Sequence, residues 1–494
     1  MKKWIPIFTV ILLSGSLSFA LGEKQEEKKK EAFSYDFFNL NGYYRVREIN
    51  TRGFAIDNNE TIGDNAAWTN RLRLEPVITF AEPFKIHLQA DLFDGTLSQE
   101  VEGATVPTGG PEGGSIDKAK FNRAWFDLQT PIGLIRGGRA PSQWGMGILA
   151  NAGDGFDDDF GDNQFGNTSD RFLFATRPLG QEVPWNVIAA FDRVVKDPLA
   201  TVDDDAFNFI IATLYSTDPF TAGTYIVRRT QSIEGKNLEA WAFDAYMNGD
   251  YKIDEENTLF AQGEGVYVLG RTGLGVDKLH NPPQEGKIRQ AGLVGRGGYK
   301  NLWSQIATEV GWASGDSDIL DNEITAFSFH PDYNVGLILF EQLLASLSEK
   351  SASNAQDPLL RAVPSEGHTL IPTDGSVTNA FYLNPTIKVW PAAGWEALFG
   401  FLWARAPQEL IDPFQTALTG GVPKNYYGGA TDKDLGMEFD GGLSYSHIAE
   451  SMANLKLTGG VQGGYLLPGD AFNDAKGNPL ENLWTAQARF TLQW

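Results

Sequence analysis

Arginines recur two residues apart at two early points of the chain, Arg45 with Arg47 and Arg71 with Arg73. That spacing puts both members of a pair on one face of a β-strand. Arg123 and Arg136 follow, and the carboxylates Glu75, Asp91 and Asp127 lie among them. A guanidinium stays charged at physiological pH, and its planar fork fits carboxylates and phosphates. Such a set can bind or pass an anion, or it can be braced by its own carboxylates into salt-bridge ladders. Later segments supply Glu264, Glu309, Glu438 and Asp440 with Lys388 and Lys456. Basic and acidic walls facing one another would set a transverse field across an enclosed space.

The stretch 153–163 holds a second group, with Asp154, Asp157, Asp159 and Asp162 close together. Clustered oxygen ligands suit Ca²⁺. The D-x-[DN]-x-[DN]-G-x₅-E calcium-loop spacing is absent. Calcium at these four aspartates therefore stands beside a solvated or arginine-paired acidic loop. No other cofactor is expected. The histidines at 87, 280, 330, 368 and 447 are scattered, and no nucleophile elbow, phosphate loop or zinc-helix motif occurs. No enzymatic activity is expected.

The elements that position these groups follow a period of two. In 484–494, Trp484, Ala486, Ala488, Phe490, Leu492 and Trp494 share one face, and Thr485, Gln487, Arg489, Thr491 and Gln493 share the other. The same split recurs at 71–75, 85–92, 437–446 and 455–462. The pattern predicts about eighteen strands (range 16–18), at 38–49, 68–80, 84–94, 119–129, 131–139, 170–177, 184–194, 205–216, 220–231, 237–249, 256–270, 286–298, 302–314, 378–390, 393–406, 433–446, 452–466 and 481–494. Short and long connections nearly alternate between them. That parity is expected of an all-β transmembrane antiparallel barrel with short periplasmic turns and long extracellular loops. A cylinder of this width predicts a water-filled lumen. Tyr43, Tyr44, Trp125, Trp312, Trp390, Trp395, Trp403, Tyr445, Tyr465 and Trp494 are placed for aromatic girdles.

Composition agrees. The 494 residues carry 54 Gly, no Cys and a formal net charge of -23, which argues against a nucleic-acid partner and excludes disulfides and thiolate metal sites. Residues 1–20 read as a cleavable signal peptide: Lys2 and Lys3, an apolar core, and Ser18-Phe19-Ala20 at the cleavage site. Residues 21–36 form a charged periplasmic leader, and 37–494 the barrel, with 141–169 and 315–377 as inward or capping loops.

Gly436 to His447 (GMEFDGGLSYSH) and Leu455 to Phe472 (LKLTGGVQGGYLLPGDAF) resemble the final strands of alginate-export-type outer-membrane channels. Tyr43-Tyr44-Arg45-Val46-Arg47, Asn70-Arg71-Leu72-Arg73-Leu74 and Gly137-Gly138-Arg139 with Trp144-Gly145-Met146-Gly147 are similar in style to the same family. The resemblance implies an eighteen-strand barrel with a porin-like or polysaccharide-export role. Phe490, Leu492 and Trp494 resemble the outer-membrane assembly signal, with Trp where Phe is usual.

The sequence thus predicts a passive channel for small polar or anionic solutes in a Gram-negative outer membrane, with bilayer lipid and the barrel-assembly machinery as partners. An exporter of an anionic polysaccharide and a closed structural barrel are the alternatives. The expected pore-lining residues are Arg45, Arg47, Arg71, Arg73, Glu75, Arg123, Asp127, Arg136, Glu309, Lys388, Glu438 and Asp440.

Overall fold

The computed structural model describes residues 34–35, 37–52, 54–55, 61–62, 65–99, 119–154, 159–161, 166–199, 205–233, 236–273, 285–319, 321–356, 371–450 and 455–494. Residues 1–20, expected as a signal peptide, and most of the expected leader 21–36 lie outside the described residues.

Among them, eighteen long strands follow one another around a single sheet. The first six are β1 (Phe38–Arg52), β2 (Asn65–Ala81), β3 (Phe84–Gln99), β4 (Lys120–Thr130), β5 (Gly133–Pro141) and β6 (Thr168–Thr176). The next six are β7 (Trp185–Lys196), β8 (Asp205–Ser216), β9 (Phe220–Ile233), β10 (Lys236–Lys252), β11 (Thr258–Thr272) and β12 (Gly286–Lys300). The last are β13 (Ser304–Ala313), β14 (Ala380–Val389), β15 (Trp395–Arg405), β16 (Asp434–Ala449), β17 (Leu455–Pro468) and β18 (Leu483–Gln493). Each pairs antiparallel with the next, and β18 pairs back onto β1 from Tyr43↔Gln493 to Arg52↔Trp484. The result is a closed eighteen-strand antiparallel barrel. All eighteen predicted strands are present.

The seam is finished by reciprocal backbone bonds between Gly42 and Trp494, 3.2 and 3.1 Å long. Both chain ends of the barrel lie at one rim. That rim also carries the connections 82–83, 131–132, 177–184, 217–219, 253–257, 301–303, 390–394 and 450–454. The opposite rim carries 53–64, 100–119, 142–167, 197–204, 234–235, 273–285, 314–379, 406–433 and 469–482. Parity has two departures: 177–184 on the first rim is as long as 197–204 on the second, and at 234–235 β9 and β10 pair to their tips as Ile233↔Lys236.

Outward positions are apolar and exposed: Phe172, Phe191, Phe209, Ile211, Trp241, Phe243, Leu293, Phe399 and Phe439 among many. A band of that kind is stable only against an apolar medium. Two expected girdle residues belong elsewhere. Tyr43 and Trp125 point into the lumen and are buried against arginines, because their parity matches Arg45 and Arg123. Trp395, Tyr445 and Tyr465 are outward and exposed as expected.

Part of the lumen, expected to be water-filled, is packed with apolar side chains. Inner faces of β8 to β16 present Ile210, Val227, Val266, Ile288, Val294, Tyr382 and Leu402, all buried. Val266, Ile288, Val294, Tyr382 and Leu402 pack in one apolar cluster with Ile148, Phe160, Phe329, Leu337, Ile338, Leu339, Phe340 and Leu343 of the loops 142–167 and 314–379, and Ile210 and Val227 belong to a second cluster with Trp144 and Ala150 of the shorter loop. The longer loop carries a π-helical turn Leu339–Leu344 that runs into helix α1 (Ala345–Gln356). A second helix, α2 (Pro413–Leu418), is N-capped by Asp412, whose carboxylate accepts from the Phe414 and Gln415 amides.

A Cβ on Gly42 would lie 2.4 Å from the Arg73 carbonyl oxygen and 2.9 Å from the Trp494 ring. Gly42→Val should therefore prevent seam closure. Heat-modifiable migration on gels, which reports the closed barrel, should be lost, whereas normal migration would show that the seam tolerates the side chain.

Candidate functional site in the lumen

Antiparallel pairing brings the early arginines together. Arg45 stands opposite Arg71, and Tyr43 opposite Arg73, across β1 and β2; Arg47 stands opposite Arg489 across the β1–β18 seam. All four paired arginines of β1 and β2 are buried on the inner face. Like charges this close are tolerated only when carboxylates intervene. Arg73 grips Asp91 through Nε at 2.7 Å and Nη2 at 2.8 Å. Arg136 grips Asp127 at 2.6 and 2.8 Å, and Arg171 of β6 grips Asp192 of β7 at 2.7 and 2.6 Å. These two-pronged pairs are the strong form of the interaction. The Tyr43 ring lies 5.9 Å from the Arg45 guanidinium and 5.7 Å from that of Arg73.

The loop 142–167 then adds its own carboxylates. Asp154 Oδ1 accepts from Arg73 Nη1 at 3.0 Å and Gln89 Nε2 at 3.3 Å, and Oδ2 accepts from Arg123 Nη1 at 2.5 Å. Gln89 also donates to Glu75 at 2.8 Å. Three wall strands, β2, β3 and β4, thus aim donors at one loop carboxylate. Gly153 makes this possible: at φ +66°, its Cβ would sit 2.6 Å from Gly166 Cα and 2.8 Å from Asp332 Oδ2.

Asp159 is held elsewhere, by Arg296 of β12 and by Lys388 Nζ of β14 at 3.3 Å. Burial works against its charge, but Arg296 and then Lys388 keep the carboxyl below the usual range. Gln462 of β17 donates to its carbonyl at 3.3 Å. The cradles for Asp154 and Asp159 lie about half the barrel's circuit apart in strand order. Asp154 and Asp159 are therefore ion-paired to separate parts of the barrel wall.

For Asp154 and Asp159 these contacts match the arginine-paired alternative to calcium. Asp154 and Asp159 are turned toward separate cations of the wall, not toward a shared centre. Asp157 and Asp162 lie outside the described residues. Among the described residues, no group of three or more acidic or histidine ligands is gathered for a metal.

Wall carboxylates in turn hold the loops by their backbones. Glu438 of β16 accepts from the amides of Leu337, Ile338 and Leu339 at 2.6, 2.7 and 2.8 Å. These are the unpaired amides at the start of the loop helix, where a carboxylate is favoured. Glu264 of β11 accepts from Gly147 at 2.9 Å, and Asp244 of β10 from the Trp144 indole at 2.9 Å. Tyr382 donates to Glu309 at 2.7 Å. Asp440 is buried on the same inner face as Glu438.

His330 ties the two loops together. Its amide donates to the Ile148 carbonyl at 2.8 Å, its Nε2 meets Asn167 Oδ1 at 2.8 Å, and its Nδ1 accepts from the Asp332 amide at 3.0 Å. That bonding fits a neutral ring protonated on Nε2. Burial pushes its pKa down to about 4, against the pull of Asp332 and Asp197.

All twelve expected lining residues sit on the inner face of the barrel, though only one subset converges. Arg73 and Arg123 share Asp154, while Glu309, Glu438 and Asp440 line the apolar side under the plug. Sequence reasoning passed over Arg171, Arg296 and His330 as site residues. Parity marks Arg171, because Phe172 beside it is outward, and Arg296, because it shares parity with Val294 and opposes outward Leu293, but nothing local marks His330. Arg139 resolves to the outer face, paired with Asp170 at 2.8 Å. Phe490 is outward and exposed, and Trp494 closes the seam.

No family model matches the chain, and no curated protein matches it. Solved structures do. OccK9 (OpdG) of Pseudomonas aeruginosa superposes with a TM-score of 0.55 at 10% identity, over 92% of this chain and 97% of that one. The outer membrane protein OprD of Pseudomonas aeruginosa gives 0.50 at 11% identity, over 92% and 94%. The outer membrane protein opdK of the same organism gives 0.51 at 10%, over 92% and 99%. At such identity the likeness is one of fold.

Glu438→Ala would leave three buried amides without an acceptor, at about 1–3 kcal/mol each. Protease cleavage within 333–347, resisted in the parent, should appear in the folded variant; continued resistance would show that apolar packing alone holds the helix. For His330 the folded pKa lies below the free value of 6.5. Its contribution is complete above about pH 6.5 and declines as pH falls toward 4, by up to roughly 3 kcal/mol. Hydrogen exchange at the 327–335 amides should accelerate between pH 6.5 and 4.5, relative to intrinsic rates. His330→Gln should remove that pH dependence.

Proposed function

We propose that this chain is a passive outer-membrane channel for small anionic solutes, carboxylates in particular, and not an enzyme. The apolar outer band, the barrel fold and the export-type N-terminus support the membrane placement. One observation carries the solute class: the wall already binds a carboxylate, that of Asp154, between Arg73 and Arg123. At an effective dielectric near 20, one charge pair at about 4 Å is worth roughly 4 kcal/mol, so two guanidiniums make a strong local preference for an anion. The lining residues Arg45, Arg47, Arg71, Arg73, Arg123 and Arg136 then form a basic track, with Glu75 and Asp127 limiting its depth.

The polysaccharide exporter is the weaker reading. A threading polymer needs a wide continuous passage, whereas Ile338, Leu339 and Phe340 are fully buried inside the barrel. The same packing favours the closed structural barrel as the second reading.

Planar-bilayer recording separates these. The refolded protein should conduct and prefer anions, and Arg73→Gln with Arg123→Gln should move the reversal potential toward zero, most at low salt. Asp154→Asn should strengthen block by succinate several-fold, because the resident carboxylate no longer competes for the two guanidiniums. Absence of any conductance would establish the closed barrel, and anion preference unchanged in the arginine variant would remove the basic track from permeation.

A further inference from the structure

Two histidines inside the barrel are held in opposite ways. His330 is fully buried, and both its ring nitrogens are bonded to the loops. His87 stands on the inner face of β3 with its side chain 16% exposed, and it holds no loop. In register it lies between Val77 of β2 and Trp125 of β4. Its ring is stacked on the Trp125 indole, with centroids 4.8 Å apart and planes 3° apart. The Arg136 guanidinium stands 5.7 Å from the same indole. His87 Nε2 lies 3.3 Å from Asp127 Oδ2. That carboxylate already accepts from Arg136 at both oxygens, at 2.6 and 2.8 Å. Asp127 is therefore satisfied by arginine, and the imidazole is an added partner whose charge can change without breaking the strand pairing.

The cluster lines one mouth of the barrel. His87 is three residues from the start of β3 at Phe84, Asp127 three from the end of β4 at Thr130, and Arg136 three from the start of β5 at Gly133. All three ends meet the rim of short turns. Arg73 and Arg123 are eight and seven residues from the ends of β2 and β4 at that rim, so a solute crossing the lumen meets the two levels in turn. The charged groups facing His87 are Lys85 on β3, which is exposed, Glu75 on β2, Asp127 on β4 and Arg136 on β5. With a neutral ring their formal charges cancel, and a proton on His87 leaves one positive charge in excess. Imidazole is the side chain that changes charge between about pH 5 and 8, where ordinary carboxylates of a solute stay ionised. The stack on Trp125 holds the ring in place, and an aromatic face favours the cationic form.

We propose that His87 is a specificity-determining residue of the channel: proton uptake by its ring turns the short-turn mouth from neutral to basic and raises the preference for anions. A charge on the wall of an enclosed passage acts on every ion that passes it. The arginines behind Asp154 keep their charge at any physiological pH, so His87 supplies the adjustable part of the selectivity. The inference rests on the channel reading above.

The test records the full barrel in planar bilayers under a potassium chloride gradient at low salt, at about pH 8 and about pH 5.5. The parent's anion-to-cation permeability ratio should rise roughly two-fold or more on acidification. His87→Gln should keep the parent's ratio at the higher pH and lose the rise. His87→Lys, which fixes the charge, should give the acid-side ratio at both. Heat-modifiable migration checks that each variant forms the barrel, and if one does not, the other decides. Conductance with a ratio that ignores pH in the parent, a rise that survives His87→Gln, or a ratio that follows pH in His87→Lys as in the parent overturns the proposal and leaves the channel standing. Absence of any conductance removes the channel reading and this proposal with it.

Discussion

The structure depends on the seam between the first and last strands. In an apolar medium each unpaired backbone amide or carbonyl costs several kcal/mol, so a sheet is stable there only if it has no edge. Registry from Tyr43↔Gln493 to Arg52↔Trp484 removes that edge, and the Gly42–Trp494 bonds finish it at the rim. Closure also fixes every other geometry. Once the ring is shut, strand parity decides which side chains enter a confined space and which meet lipid. It also sets Arg45 against Arg71 and Arg47 against Arg489, side by side in a place where charge must be compensated.

The confined space is filled unequally, and the filling follows what each wall offers. Where the inner face is apolar, the loop 314–379 brings apolar residues of its own and the interior packs like a protein core. Where it is basic, the loop 142–167 brings carboxylates. Backbone amides exposed by the loops are answered by Glu438 and Glu264 of the wall. These two carboxylates give the amides of Gly147, Leu337, Ile338 and Leu339 acceptors inside the barrel.

In the channel proposed above, the arginine wall serves both stability and selectivity through the same bonds. Asp91, Asp127 and Asp192 are strand carboxylates and fixed in place by the barrel. Asp154 differs because it arrives on a loop, held by three donors but not built into the sheet. A buried guanidinium needs an anion at all times. Asp154 meets that need from a loop, and the proposed channel has it yield its place to a solute.

How much of this was legible in the chain follows from locality. Strand existence, parity and the inward arginines were readable, because period two and connection length are properties of adjacent residues, and all eighteen strands were found from them. The inward position of Tyr43 is legible from its shared parity with Arg45, although its aromatic type equally suits a girdle. The destination of Asp154 and Asp159 was not readable. Five residues apart in an acidic run, they look like a calcium loop, yet they bind cations on strands far apart in the ring. Which charge meets which across a lumen depends on how β2–β4 and β12–β14 face one another after closure. The fill of the lumen was decided the same way. Residues 333–347 are apolar enough to need burial, but only the closed barrel, with an apolar inner wall from β8 to β16, supplies a place inside for them.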